Sequence, residues 1–177
     1  MRITFYILAL VLLIFSSCNN EPSLQKYFVE HSEKKGFVNI DVSPSIINLD
    51  KSKLTENQKT ALESFDKMNV LVYKTDAYNR AAYDIECKKV SQILKGKEFQ
   101  ELMKFRSGKD AASVSFVGDE DHINEFILFA KNKEKGFAVV RILGNDMNPN
   151  NIMNMISLLK SATIDMEQLK PLESLMK

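Results

Sequence analysis

The residues of this chain able to do chemistry at a site are few. Cysteine occurs twice, as Cys18 and Cys87, and histidine twice, as His31 and His122. Cys87 would act as a nucleophile only with a histidine or a cation beside it. Helical spacing instead sets it in an apolar stripe with Tyr83, Val90 and Leu94, which predicts a buried small hydrophobe. Neither histidine has a cysteine or second histidine at metal-ligand spacing, so both are read as surface residues. Asp119-Glu120-Asp121 is a local acidic run without the alternating oxygen ligands of a calcium loop. It reads as a hairpin turn kept soluble by charge. No glycine-rich phosphate loop and no nucleophile elbow occur. Paired carboxylates leave no signature in sequence, because separation along the chain says nothing about separation in space. The sequence therefore assigns no catalytic, cofactor-binding or metal-binding residue.

Cys18 has a different reading. Met1-Arg2 carries positive charge, and residues 3 to 15 are apolar except Thr4 and Tyr6. Ser16 and Ser17 are small, Cys18 follows, and Asn19-Asn20-Glu21-Pro22 is polar. A charged start, a short apolar core and small residues at its end make a secretory signal. A spanning helix needs roughly 20 apolar residues, more than this run supplies. Small residues just before a cysteine resemble a bacterial lipobox, with Phe15 standing where leucine is usual. The expectation is cleavage between Ser17 and Cys18 and lipidation of Cys18; an ordinary cleaved signal is the alternative. One acyl chain holds only weakly, at about 0.8 kcal/mol per buried methylene, so two or three chains make the anchor stable.

Composition sets further bounds. Lys+Arg number 24 against 23 Asp+Glu, a net charge of +1, which gives no electrostatic case for nucleic acid. With Cys18 lipidated, Cys87 has no intrachain disulfide partner, so the domain must be stable through its core. Tryptophan is absent, which disfavours an aromatic carbohydrate platform, although five Tyr and eleven Phe remain. The organisation expected is a signal at 1–17, a lipid-anchored tether at 18–22, and one domain at 23–177.

Pro22-Ser23 starts a short amphipathic helix bearing Leu24, Tyr27 and Phe28 and stopping by Gly36. Phe37–Val42 reads as a strand, and Ser43-Pro44 opens a helical turn through Ile46, Ile47 and Leu49. Thr55 and Gln58 form a capping-box pattern for a helix with Leu54, Ala61, Leu62 and Phe65 on its apolar side. Met68–Tyr73 is apolar on both faces, as an interior strand would be. Asp76 caps the longest helix, which runs to about Leu94 with Gly96 behind it. Tyr78, Ala81, Ala82 and Ile85 add a second apolar stripe, while Arg80, Asp84 and Lys88 form a solvated charged ladder. Glu98–Met103 is a short helix or extended turn. Three strands follow at 112–117, 123–131 and 137–143, and their short connections require antiparallel hairpins. Val114 and Phe116 alternate with Ser113 and Ser115, which predicts one wet face there. Asn148-Pro149 starts a methionine-rich helix through Ile152, Met155, Ile156 and Leu159. The tail from Met166 reads as a frayed helix. The fold expected is a single α+β domain, mainly an antiparallel sheet with helices packed on one face.

One run of residues carries a wider resemblance. Phe99-Gln100-Glu101-Leu102-Met103 is followed by Gly108, Val114-Ser115-Phe116 and Ile123-Asn124-Glu125-Phe126-Ile127-Leu128, then Ile142-Leu143-Gly144 and Asn145-Asp146-Met147. That order resembles the family designated domain of unknown function 4252, short secreted or lipid-anchored envelope proteins of Gram-negative bacteria, mostly Bacteroidota. The resemblance covers most of the chain after Cys18. It implies an envelope location and an α+β fold, and no catalytic residues. The function expected is that of a non-enzymatic lipoprotein, held in the outer membrane through its lipid on the periplasmic face or cell surface. It would bind an envelope protein or ligand there. An envelope enzyme and a structural subunit of an envelope complex are the rival readings.

Overall fold

The computed structural model describes residues 22–43, 47–48, 54–76, 78–120, 122–150 and 163–164. Cys18, the signal and the tether up to Glu21 lie outside the described residues, as do the methionine-rich segment 151–162 and the tail 165–177.

Helix α1 spans Leu24–His31, and the Ser23 hydroxyl caps it by accepting the Lys26 backbone N–H at 3.2 Å. It buries Leu24, Tyr27, Phe28 and His31. Strand β1 is Phe37–Val42, as the sequence predicts. Of the helical turn expected through Ile46, Ile47 and Leu49, Ile46 and Leu49 lie outside the described residues, and Ile47 is extended. Ile47–Asn48 is strand β2, paired antiparallel with β8, Thr163–Ile164. That partner comes from the far end of the chain, where local pattern gives no information. Helix α2, Glu56–Glu63, carries the full capping box at Thr55 and Gln58. Phe65 is not on this helix: it opens strand β3, Phe65–Lys74, and packs back on Ala61.

Asp76 does not cap the next helix. Its carboxylate accepts the Tyr78 and Asn79 backbone N–H groups in a turn, and Asn79 stands at the cap position of α3, Arg80–Ile93. The stripe of Tyr83, Cys87 and Val90 is buried as expected. The second stripe is not, since Tyr78 is 99% exposed and Ile85 56%. Glu86 takes the buried position beside the stripe instead.

Glu98–Met103 is neither helix nor turn at its centre. Strand β4 begins at Gln100 and runs to Ser107. All eight of its residues are exposed, so burial selects neither face: Met103 and Phe105 alternate with Lys104 and Arg106, and backbone pairing with β5, Asp110–Asp119, holds the conformation. Strands β6, His122–Asn132, and β7, Gly136–Met147, complete the meander. Gly108, at φ 57°, takes the first central position of the β4–β5 turn, the place type II′ hairpins give to glycine. Gly136, at φ 120°, closes the β6–β7 loop where a Cβ would meet the Tyr73 carbonyl oxygen at 1.9 Å.

The six long strands form one antiparallel sheet in the order β1-β3-β7-β6-β5-β4. Together with the three helices described, this is the α+β fold expected. Alternation along the strands divides the core between the two faces. On one face Leu71, Tyr73, Ile127, Phe129, Phe137 and Val139 meet α1 and α3. Phe137 sits at the centre of this cluster, against the rings of Phe37, Tyr73, Tyr83 and Phe129. On the reverse face Ile40, Val42 and Phe65 pack with Ala61 of α2, and a further group forms from Phe116, Ile123, Phe126 and Met147. The serine side of β5 is the side that carries the helices. Ser115 is 5% exposed, so the wet face expected there is covered in part.

Candidate functional site

Helix α3 lies on the helix-bearing face and stops short of the sheet's β4 edge. A groove remains between α3 and the β4–β5 hairpin. Asp84, Lys88 and Ser91 recur at helical spacing on α3 and, with Lys95 in the turn after it, form its first bank. Lys104 and Arg106, two apart on β4, form the other bank on the same face. Ala111, Ser113 and Ser115 of β5 make the floor, with Lys104 directly opposite Ser113 and Arg106 opposite Ala111. Lys109, Lys131 and Lys133 close one end. The space comprises two adjoining cavities of about 200 and 510 Å³, which share Ser91, Arg106, Ala111 and Lys131 in their walls.

Charge in the groove is one-sided. Seven cationic side chains line it against the carboxylates of Asp84, Glu101 and Asp110. A chain of net charge +1 thus gathers an excess of about four positive charges in one concavity. Some of these cations have partners. Lys104 pairs with Glu101 at 2.7 Å, Lys109 pairs with Glu134, and Lys131 lies over the Phe129 ring at 5.4 Å. Among the described residues, the side chains of Lys88, Lys95, Arg106 and Lys133 meet no carboxylate. Ser113, half-buried, makes no side-chain hydrogen bond within the described protein either, which leaves its hydroxyl to the groove, while Ser115 is buried beneath it. Such a surface offers charge and hydrogen bonds to an anion.

A second polar cluster has the groups of an acid–base site but not the freedom of one. Glu86, 6% exposed, lies between α3 and α1. Its Oε1 accepts from Lys34 Nζ at 2.7 Å and Lys89 Nζ at 3.2 Å, and its Oε2 accepts from the Tyr27 hydroxyl at 3.1 Å. His31 Nδ1 is 2.7 Å from the Tyr27 carbonyl oxygen, which can only accept, so Nδ1 carries a proton. His31 Nε2 then lies 3.2 Å from both Lys34 Nζ and Glu86 Oε2. Burial opposes ionisation of Glu86, but hydrogen bonds from Lys34, Lys89 and Tyr27 outweigh it and hold its pKa down at about 2. Burial first, then the Glu86 charge, push the Tyr27 phenol up. A carboxylate so acidic and so fully bonded is a poor proton acceptor near neutrality. The cluster rivets α1 to α3. Arg141 adds a second rivet beneath α1, holding Glu125 through two bonds of 2.6 and 2.9 Å and Gln25 at 2.6 Å.

His31, expected on the surface, is therefore 4% exposed and stacked on the Tyr27 ring at 4.0 Å. Its correction follows from α1 packing its far end onto α3, a contact with no local signal. His122 is exposed and pairs with Asp146. Cys87 is 8% exposed, on the groove side of α3. Arg80, Asp84 and Lys88 are solvated as expected, with Arg80 donating to the Lys133 carbonyl oxygen at 2.8 Å. Asp119 and Glu120 are exposed at the β5–β6 turn. Among the described residues no group of three or more His, Cys, Asp or Glu gathers for a metal ion, and no helix is long and apolar enough to cross a membrane. Lys95, Lys104, Arg106 and Lys131 were not legible as a set. The i,i+2 pairs Lys104/Arg106 and Ser113/Ser115 were the available signal, once 100–107 is read as a strand.

A family model described as domain of unknown function (DUF4252) matches residues 27–155. No curated protein and no solved structure matches the chain.

Proposed function

From the premise that the chain belongs to the DUF4252 family, we propose that it is a lipid-anchored lipoprotein of the cell envelope and acts there as a non-enzymatic binding module. The groove between α3 and β4–β5 carries the binding part of this reading. It is concave, rich in donors and cations, and lined by no imidazole. The location rests on the apolar run that ends Ser16-Ser17-Cys18. A tether of a few residues would hold Leu24, and with it α1, close to the bilayer.

Cys18→Ser is the test of the anchor. In cells, the variant should leave the membrane fraction and lose incorporation of a fatty-acid analogue. Membrane retention unchanged by the substitution would reject lipidation at Cys18.

A further inference from the structure

We infer that the groove between α3 and the β4–β5 hairpin binds an extended polyanionic glycan, one whose sugars carry carboxylate or phosphate groups. This rests on the reading of the protein as a binding module and names the class of ligand. Three observations carry it. The two cavities adjoin and share four lining residues, so the site suits a chain and is longer than a single ion needs. Cations stand on both banks in series: Lys88 on α3 and Lys95 in the turn after it, with Lys104 and Arg106 about 6.7 Å apart along the strand. Between the banks, half-buried Ser113 presents a hydroxyl that both donates and accepts, as sugar hydroxyls require.

Other polyanions fit less well. Tyr83 and Phe129, the aromatic residues of the lining, are 3% and 5% exposed, so nucleic-acid bases find no face to stack on. The same burial removes the stacking platform that a neutral sugar would use. A bilayer surface cannot follow a concavity whose floor lies below both banks. An acidic peptide would bring side chains that want apolar pockets, and the floor is alanine and serine.

The test uses the purified full chain and four probes: polygalacturonate, neutral dextran, polyglutamate, and vesicles of phosphatidylglycerol. Polygalacturonate should bind and dextran should not. Binding should vanish near 1 M salt, where screening acts within about 3 Å. The double variant Lys88→Glu/Arg106→Glu should weaken binding by about tenfold or more. Lys35→Glu, in the turn before β1 at the opposite edge of the sheet, should leave it unchanged. Circular dichroism melts check that each variant folds, and Lys88→Gln/Arg106→Gln replaces any that does not. Equal loss in Lys35→Glu overturns the inference, as does polygalacturonate bound no better than dextran. Tighter binding of polyglutamate or vesicles would assign the groove to peptide or lipid and overturn it too. Membrane retention through Cys18 is read separately. Anchorage without polygalacturonate binding defeats the glycan alone, whereas groove-dependent binding by a protein that ignores Cys18→Ser defeats the anchor alone.

Discussion

Two lysines, a tyrosine hydroxyl and an imidazole converge on the oxygens of Glu86, and that convergence decides its charge against the cost of burial. The folded pKa of about 2 lies below the ordinary 4.5. A group whose pKa falls on folding adds stability that is complete above its unfolded value and is lost as pH drops through the folded one. The wild-type protein should therefore lose stability between about pH 4.5 and pH 2 partly through this residue. Glu86→Gln keeps the shape and one acceptor but leaves Lys34 and Lys89 without their anion. Lys34 and Lys89 are half exposed and can turn to water, so the cost is about 1–3 kcal/mol at neutral pH. Urea titrations of both proteins from pH 2 to 7 check this: the variant should be weaker at pH 7 and show a flatter acid slope. Parallel curves would mean that Glu86 has no special role in acid stability. The same residue shows what the sequence hides. Its position on α3, one before Cys87, places it at the margin of the apolar stripe, and only the arrival of α1 makes that position buried.

Helix α2 is the element whose stability depends most visibly on its cap. Thr55 Oγ1 accepts the Gln58 N–H at 3.3 Å, and Gln58 Oε1 accepts the Thr55 N–H at 3.0 Å. The helix is only eight residues long and buries one of them fully, Ala61, so packing contributes little to offset a lost cap. Thr55→Ala should cost about 1 kcal/mol, which lowers the melting temperature by about 2–4 °C for a chain of this size. A melt unchanged within error would show that α2 is held by Leu54, Leu62 and Phe65 alone. This box was legible because both partners lie within four residues. The caps at Ser23 and the turns at Gly108 and Gly136 were legible for the same reason. Strands β5, β6 and β7 were legible from short apolar runs between turn residues. Strand β4 was not, because its alternation of Met103 and Phe105 with Lys104 and Arg106 is only four residues long and is broken by the bulge at Leu102. Tyr78 and Ile85 misled in the opposite sense: they continue an apolar pattern on α3, but the sheet lies under the other stripe.

The whole molecule is a meander whose cohesion falls off towards one edge. Strands β3 and β7 are paired on both sides, carry Leu71 and Val139 at 0% exposure, and have α1 and α3 over one face and α2 on the other. Strand β4 is paired on one side, is bulged at Leu102 and keeps all its residues exposed, with charged residues along a free edge. The candidate groove joins the two regimes, with one bank on a helix rooted in the core and the other on this edge. That division explains why the site was hidden in the sequence: Lys88 belongs to a helix face that reads as ordinary solvated charge, Lys95 to the turn after that helix, and Lys104 and Arg106 to a segment whose strand alternation is short. It also orders local stability. Amides open in cooperative units whose free energies follow burial and pairing. Hydrogen exchange should be slowest in β3 and β7 and orders of magnitude faster in β4, with β5 between them. A ligand spanning the groove binds β4 only in its folded, paired state and should slow β4 by mass action, while leaving β3 and β7 near their already global rate. Exchange mass spectrometry with and without polygalacturonate reads both effects at once. If β4 exchanged as slowly as β7 in the free protein, the edge would be part of the core unit, and cohesion would not fall off towards β4.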